Sequence, residues 1–263
     1  MKLYEEDLTA DDGERIRVYY GIPDCERFSN PIPAIIMTHG YTSKGKNKTN
    51  LVLAEWLIEN GIATFIFDLS GHGESSGNIS NQTVSKAAVE VQSVYKYVQG
   101  MDFVNSNMIG LFGSSFSGTA ILHAAVNIKD VFAVFLKSPI TDYYDTRLHQ
   151  LGNQRMEQWK EEGEIILNDG TKSNVSFIDD IMNINTYIDL KAVEVPVIVV
   201  QGSEDEDVTK SQIERLRVSL NTKKDRLYII DGANHSYKKV EHFNEMISIF
   251  MKEMKGIYGL CTS

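Results

Sequence analysis

The chain has 263 residues, 42% hydrophobic and 24% charged, a balance that suits one folded unit with a sizeable core and excludes a disordered chain. A formal net charge of −10 and a pI near 5.1 argue against nucleic acid as a partner, which would want a basic face. No apolar run reaches the roughly 18 residues of a membrane span, and two cysteines near opposite ends, Cys25 and Cys261, make no CxxC pair or disulfide framework.

The N-terminus, Met1 to Asp7, lacks the apolar stretch of a secretory signal, so a cytoplasmic location is expected. Residues 2–8 and 15–21 are strand-like, with Asp11-Asp12-Gly13-Glu14 as the turn between them, and are expected to pair as an antiparallel hairpin at a sheet edge. A βα rhythm follows. Residues 34–38 read as a buried strand, a helix near 50–60 stops at Gly61, and Ile62 to Phe67 read as the next strand. A Gly-rich loop leads to a helix near 83–99. Met108 to Phe112 predict a strand, Ser115 to Val126 a helix, and Val131 to Leu136 a strand. After a gap come a strand at Val195 to Val200, a helix near 209–219, a strand at Arg226 to Ile230 and a helix over 240–255. Alternating elements of this kind predict an α/β fold around a mostly parallel sheet.

The rhythm breaks between about 140 and 190, where Tyr143, Tyr144, Trp159, Phe177 and Tyr187 are scattered among polar residues. Ile165-Ile166-Leu167, a turn at Asn168-Asp169-Gly170 and the stretch after Thr171 predict a small hairpin. Ser176 to Asp179 reads as a capping box opening a short helix. An insertion of about 50 residues is too long for a plain connection. The expected organisation is a core of 1–139 and 191–263 with a cap, or lid, over 140–190.

The residues that could carry chemistry follow the strands. Gly113-Ser114-Ser115-Phe116-Ser117-Gly118 lies between a strand and a helix, as a nucleophile elbow requires. Only Ser115 has Gly113 two places before it. Ser117 stands where the usual pattern has a second glycine. His39-Gly40-Tyr41 follows the strand 34–38, and the backbone N–H groups of Tyr41 and Phe116 would form an oxyanion hole. His39 is expected to support its loop. Gln201-Gly202-Ser203-Glu204-Asp205-Glu206-Asp207 follows the strand 195–200, and Asp205 is the favoured acid, with Glu206, Asp207 and the more distant Asp142 as rivals. His235, in Asp231-Gly232-Ala233-Asn234-His235 after the last strand, is placed to act as a general base.

The order Ser–Asp–His, each after its own strand, resembles the α/β-hydrolase superfamily over nearly the whole chain except 140–190. Asp68-Leu69-Ser70-Gly71-His72-Gly73-Glu74-Ser75 is similar to the DxxGHGxS loop of many esterases, lipases and peptidases of that fold, and is read as structural. Within the superfamily the chain looks most like bacterial feruloyl or cinnamoyl esterases and related acyl hydrolases. That likeness is carried by His39 to Lys44, Gly61-Ile62-Ala63 running to Asp68, the GHGES loop and Ala233-Asn234-His235. The elbow departs from that group's GHSQGG at Ser114, Phe116 and Ser117. The resemblance implies a serine carboxylesterase with Ser115, Asp205 and His235 as triad, acting on a small-molecule ester of a short-chain or aromatic acid. It needs no cofactor and no metal. A thioesterase or acyltransferase with the same triad is the alternative, for which Lys44, Lys46 and Lys48 are a candidate basic cluster. An idle ligand-binding scaffold is the third reading, and a homo-oligomer stays open.

Overall fold

The computed structural model describes residues 1–24, 26–28, 30–220 and 225–260. Cys25 and Cys261, and the reading built on them, lie outside the described residues. Among the described residues the strands are β1 (Tyr4–Thr9), β2 (Arg15–Gly21), β3 (Ile32–Met37), β4 (Ala63–Phe67), β5 (Val104–Ser114), β6 (Val131–Lys137), β7 (Glu164–Ile166), β8 (Lys172–Asn174), β9 (Val197–Gly202) and β10 (Arg226–Ile230). The helices are α1 (Lys48–Glu59), α2 (Val84–Gln99), α3 (Phe116–Ala125), α4 (Tyr143–Glu162), α5 (Ser176–Asn183), α6 (Thr186–Ala192), α7 (Lys210–Ser219) and α8 (Val240–Tyr258).

Eight strands form one sheet in the order β1-β2-β4-β3-β5-β6-β9-β10. The pairs from β4 through β3, β5, β6 and β9 to β10 are parallel, while β1–β2 and β2–β4 are antiparallel. The chain therefore adopts the α/β-hydrolase fold that its sequence predicts. The central strands are buried on both faces, which is why β4, with Thr64 among its apolar residues, and β9, apolar from Val197 to Val200, do not alternate. The edge strand β1 carries Glu5, Glu6 and Asp7, charges that discourage pairing with another chain. Val91, Val94 and Leu122 of α2 and α3 fill one face of the sheet, and Leu53, Leu57, Phe250 and Met254 of α1 and α8 fill the other.

Register brings the chemistry to one end of the sheet. Met37 lies beside Phe112, Ser114 beside Lys137, Lys137 beside Val200 and Ile230 beside Gly202. The loops after β3, β5, β6, β9 and β10 thus open side by side at the strands' C-terminal edge, where ligands of open α/β sheets bind.

Residues 140–190 hold α4, the antiparallel pair β7–β8, α5 and most of α6, which ends beyond the expected boundary, at Ala192. The hairpin at 165–174 matches expectation. The 20-residue α4 has no counterpart in the sequence reading, because its polar composition hides a helix that breaks at Gly152, with φ/ψ of 73°/165°. The expected capping box is also corrected. Val175, itself helical, precedes α5, and its carbonyl accepts from Ile178 and Asp179, so Ser176 sits inside the first turn and cannot cap it. Trp159, Phe177 and Ile178 are buried in the same apolar cluster as Val84 and Ile121, joining the insertion to the sheet's helical layer.

Candidate active site

Ser115 sits where β5 turns into α3, at φ 52° and ψ −112°, a conformation that L-residues rarely adopt. The turn is held because the Ser115 N–H donates to the Lys137 carbonyl at 2.9 Å, extending the β5–β6 ladder one residue past the strand. The chain then doubles back so tightly that a Cβ on Gly113 would lie 2.8 Å from the Ser117 carbonyl oxygen. Ser117 is accommodated at the second small position because its Oγ is used internally. It accepts from the Ser114 N–H at 2.9 Å and donates to the Ser114 carbonyl at 3.1 Å.

His235 Nε2 lies 2.8 Å from Ser115 Oγ, and His235 Nδ1 lies 2.9 Å from both carboxylate oxygens of Asp205. A carboxylate can only accept, so the proton belongs on Nδ1 and the Nε2 lone pair faces the serine hydroxyl. The Asp205 side chain is fully buried. It accepts from the Asp207 and Val208 N–H groups at 2.9 and 3.0 Å and from Gln201 Nε2 at 2.6 Å. Burial works to raise this carboxyl, but the His235 contact and the two N–H groups outweigh it and hold it below the usual carboxylate range. The β9 end and the histidine loop touch: a Cβ on Gly202 would lie 2.2 Å from the Ala233 carbonyl oxygen.

The rival acids do other work. Asp142 caps α4 by accepting from the Asp145 N–H at 2.9 Å and pairs with Arg215 at 3.0 Å. Glu206 accepts from the backbone N–H of His235 at 3.1 Å. Asp207 stands 3.7 Å from His235 Nε2, on the serine side of the ring rather than the Asp205 side. The N–H groups of Tyr41 and Phe116 flank Ser115. Neither is taken up by a turn or side-chain acceptor among the described residues, and Phe116 opens α3, where the helix dipole favours negative charge.

Behind these groups lies a buried polar frame. His39 Nδ1 contacts the Gly40 carbonyl at 2.8 Å, and its Nε2 accepts from the Leu69 N–H at 3.0 Å. Burial pushes it down to about 4, so it is a neutral support, as expected. Asp68 accepts from Gly45 N–H at 2.6 Å, Glu74 N–H at 2.9 Å and the Tyr19 hydroxyl at 3.0 Å, tying the Tyr41 loop to the GHG loop. Glu90 accepts from the Ser70 N–H and hydroxyl at 3.0 and 2.5 Å, and burial pushes its carboxyl up to about 7. The sequence reading missed Lys137. Its Nζ donates to the His235 carbonyl at 3.2 Å, and burial pushes the ammonium down to about 8. The signal was a lysine closing the apolar run Val131 to Leu136.

Two clefts meet at Ser115 and His235. One, of about 440 Å³, is lined by Tyr41 and by Ile140, Tyr143, Arg147, Leu151 and Leu167 of residues 140–190, among others. The second, of about 530 Å³, is lined by Ser43, Lys48, Lys137, Tyr237, Lys238 and Phe243 among others. A further cavity of about 590 Å³, at Val131, Val195 and Arg226, lies at the opposite end of the strands and away from this chemistry. Of the aromatics singled out in the insertion, Tyr143 lines the first cleft. Trp159 is fully buried and stacks on Phe177 at 6.1 Å. The expected lysine cluster is divided, since Lys46 pairs with Glu5 at 3.2 Å while Lys48 faces the second cleft.

The model of the X-Pro dipeptidyl-peptidase (S15) family matches residues 12–174, more than half the chain. The chain belongs to the S15 family. The match takes in Ser115 and ends before Asp205 and His235. This S15 chain is 27% identical to the uncharacterized protein YfhR of Escherichia coli O157:H7 over 234 residues, 87% of this chain and 72% of that protein. It is 30% identical to the mitochondrial palmitoyl-protein thioesterase ABHD10 of Rattus norvegicus over 140 residues, 53% of this chain and 45% of that one. Among solved structures, Est1E of Butyrivibrio proteoclasticus with ferulic acid bound superposes with a TM-score of 0.79 at 22% identity, over 95% of this chain and 99% of that one. The S15 chain is therefore an α/β-hydrolase-fold enzyme of the hydrolase class. Among its described residues no helix is long and apolar enough to cross a membrane.

Proposed function

We propose that the protein is a serine hydrolase that cleaves carboxylic esters through an acyl-enzyme, with Ser115 as nucleophile, His235 as general base and Asp205 as its orienting acid. One observation carries this reading: a single hydrogen-bonded chain runs from Asp205 through both nitrogens of His235 to Ser115 Oγ, at 2.9 and 2.8 Å. Ser115 Oγ attacks the ester carbonyl as its proton passes to Nε2, and Asp205 stabilises the imidazolium. The Tyr41 and Phe116 N–H groups receive the developing oxyanion. The tetrahedral adduct collapses as Nε2 returns the proton to the leaving alcohol. His235 then takes a proton from water as its oxygen attacks the acyl carbon, and the second adduct collapses as Nε2 passes that proton to the leaving Ser115 Oγ, releasing the acid. No step calls for a metal or cofactor.

Residues 140–190 act as the cap over this centre. Their cleft, small and walled by Tyr41 and Tyr143, suits a short or aromatic acyl group, a reading supported by the likeness to Est1E. A thioester substrate is the second reading, favoured by the partial likeness to ABHD10. A panel of short-chain, hydroxycinnamoyl and palmitoyl esters, acyl thioesters and X-Pro amides tests both. Short or aromatic esters are expected to give the highest kcat/KM. Faster palmitoyl thioesters would shift the function to the second reading, and X-Pro amides as the sole substrates would overturn both.

A further inference from the structure

The cleft under residues 140–190 contains a buried arginine whose charge no carboxylate among the described residues neutralises by contact. Arg147 lines that cleft together with Ser115 and His235, yet is only 8% exposed. Its guanidinium carbon sits 5.7, 5.7 and 5.4 Å from the ring centres of Tyr41, Tyr143 and Phe177. These rings pack against it, and among the described residues neither tyrosine hydroxyl accepts a hydrogen bond from it. Nη1 donates to the side-chain oxygen of Gln150 at 2.8 Å, while the buried Nε has no partner. Among the described residues no carboxylate forms an ion pair with Arg147.

The nearby acids do not remedy this. Gln150 Nε2 donates to Asp207 Oδ1 at 2.6 Å, so a neutral amide is clamped between Asp207 and Arg147. Asp169 also lines the cleft, but it is an exposed rim residue occupied with the Thr171 N–H at 2.9 Å. A buried charge left without a partner is costly. A planar guanidinium with unused donors is matched in charge and geometry by a carboxylate.

We propose that Arg147 binds a carboxylate carried by the substrate, so that the cleft beside Ser115 selects esters bearing a negative charge remote from the scissile bond. This rests on the ester-hydrolase reading of Ser115 and adds the substrate's charge to it. Tyr143 and Arg147 stand one turn apart on α4, so the helix presents a ring and a cation to the cleft that Ser115 also lines. The carboxylate could belong to the acyl part, as in a half-ester of a dicarboxylic acid, or to the alcohol part, as in an acylated hydroxy acid.

Two matched pairs of esters distinguish these sources. The acyl arm compares 4-nitrophenyl hydrogen adipate with its methyl-capped diester. The alcohol arm compares the butyryl ester of 4-hydroxybenzoate with that of methyl 4-hydroxybenzoate. In the wild-type protein one arm should favour the charged member by about 10- to 100-fold in kcat/KM. Arg147→Met, which keeps bulk against the three rings, should abolish most of that preference, and Arg147→Lys should restore part of it. Labelling of each variant by a fluorophosphonate reports whether its site has assembled. Wild-type ratios within threefold of unity in both arms overturn the proposal without any variant, as does a preference that survives in an Arg147→Met protein that labels. Wild-type protein that neither labels nor cleaves any of the four esters instead defeats the ester-hydrolase reading, and the Arg147 proposal falls with it.

Discussion

The loops at the sheet's C-terminal edge and the insertion over residues 140–190 both face Ser115, but they are built on different physics. The sheet loops are fixed by strand register, strained turns and buried hydrogen bonds, as at Ser115 with φ 52° and Asp205 with its two backbone donors. The insertion is fixed by aromatic packing, with Trp159, Phe177 and Tyr143 in contact and a helix broken at Gly152. The first kind of construction holds atoms to the tolerances a proton transfer needs. The second shapes a cleft and can change its lining without disturbing the strands. In this account the sheet loops set rate and the insertion sets selectivity and part of the stability.

The largest effect expected on the sheet side is that of Ser115→Ala, a loss of roughly 10⁵–10⁶-fold in kcat on the best ester. Ser114→Ala and Ser117→Ala should keep most of their activity in steady-state assays, because Ser117 Oγ is bonded to the Ser114 backbone and His235 Nε2 bonds to Ser115 Oγ. Comparable losses in Ser114→Ala and Ser115→Ala would remove the distinction. Next comes Asp205→Asn, with a loss of about 10⁴-fold in kcat, since an amide in that place favours the wrong imidazole tautomer. Asp142→Asn should leave turnover within a few fold, because Asp142 is engaged with Asp145 and Arg215. The reverse order of these two variants would move the acid to the insertion's first helix.

The same contrast explains what could be read in the sequence. Ser115, Asp205 and His235 each follow a short apolar run within three to five residues, and register of a parallel sheet turns that one-dimensional spacing into proximity. Ser117 for glycine was legible as a departure, though not its cause, which is a hydrogen bond to the neighbouring backbone. Lys137 was missed because one charged residue ending a strand looks like a strand meeting solvent, whereas this one is buried. In the insertion the periodicity that marks a helix is masked, since α4 breaks at Gly152 and its buried positions include Thr146 and Arg147. Trp159 drew attention as an aromatic, yet its ring packs inside, while Arg147 and Gln150 in the cleft carry no spacing signal at all.

On the insertion side, Trp159→Ala should cost about 3–5 kcal/mol of stability by leaving a cavity against Phe177. Denaturant unfolding measures that loss, and kcat/KM per folded molecule on a short ester should change by less than about tenfold. Full stability with a hundredfold loss of kcat/KM would instead make the ring part of the substrate site. The smallest effect returns to the sheet loops. The Glu90 carboxyl, pushed up to about 7 by burial, keeps a proton in the folded state that the unfolded chain gives up at lower pH. Its contribution to stability is therefore present at acidic pH and is lost as pH rises through about 7. Between pH 5 and 8 the wild type should lose on the order of 2 kcal/mol of stability relative to Glu90→Gln. Parallel stability curves for the two proteins would show that Glu90 does not exchange its proton in this window.

The central claim is that His235 and Asp205 activate Ser115 and no other hydroxyl. Covalent labelling by a fluorophosphonate, followed by peptide mass spectrometry on the wild type and on His235→Ala, tests it most directly. A single adduct on Ser115, formed rapidly in the wild type and at least about 10³-fold more slowly in His235→Ala, is the predicted result. An adduct on Ser114 or Ser117, or equal labelling rates in the two proteins, would contradict it.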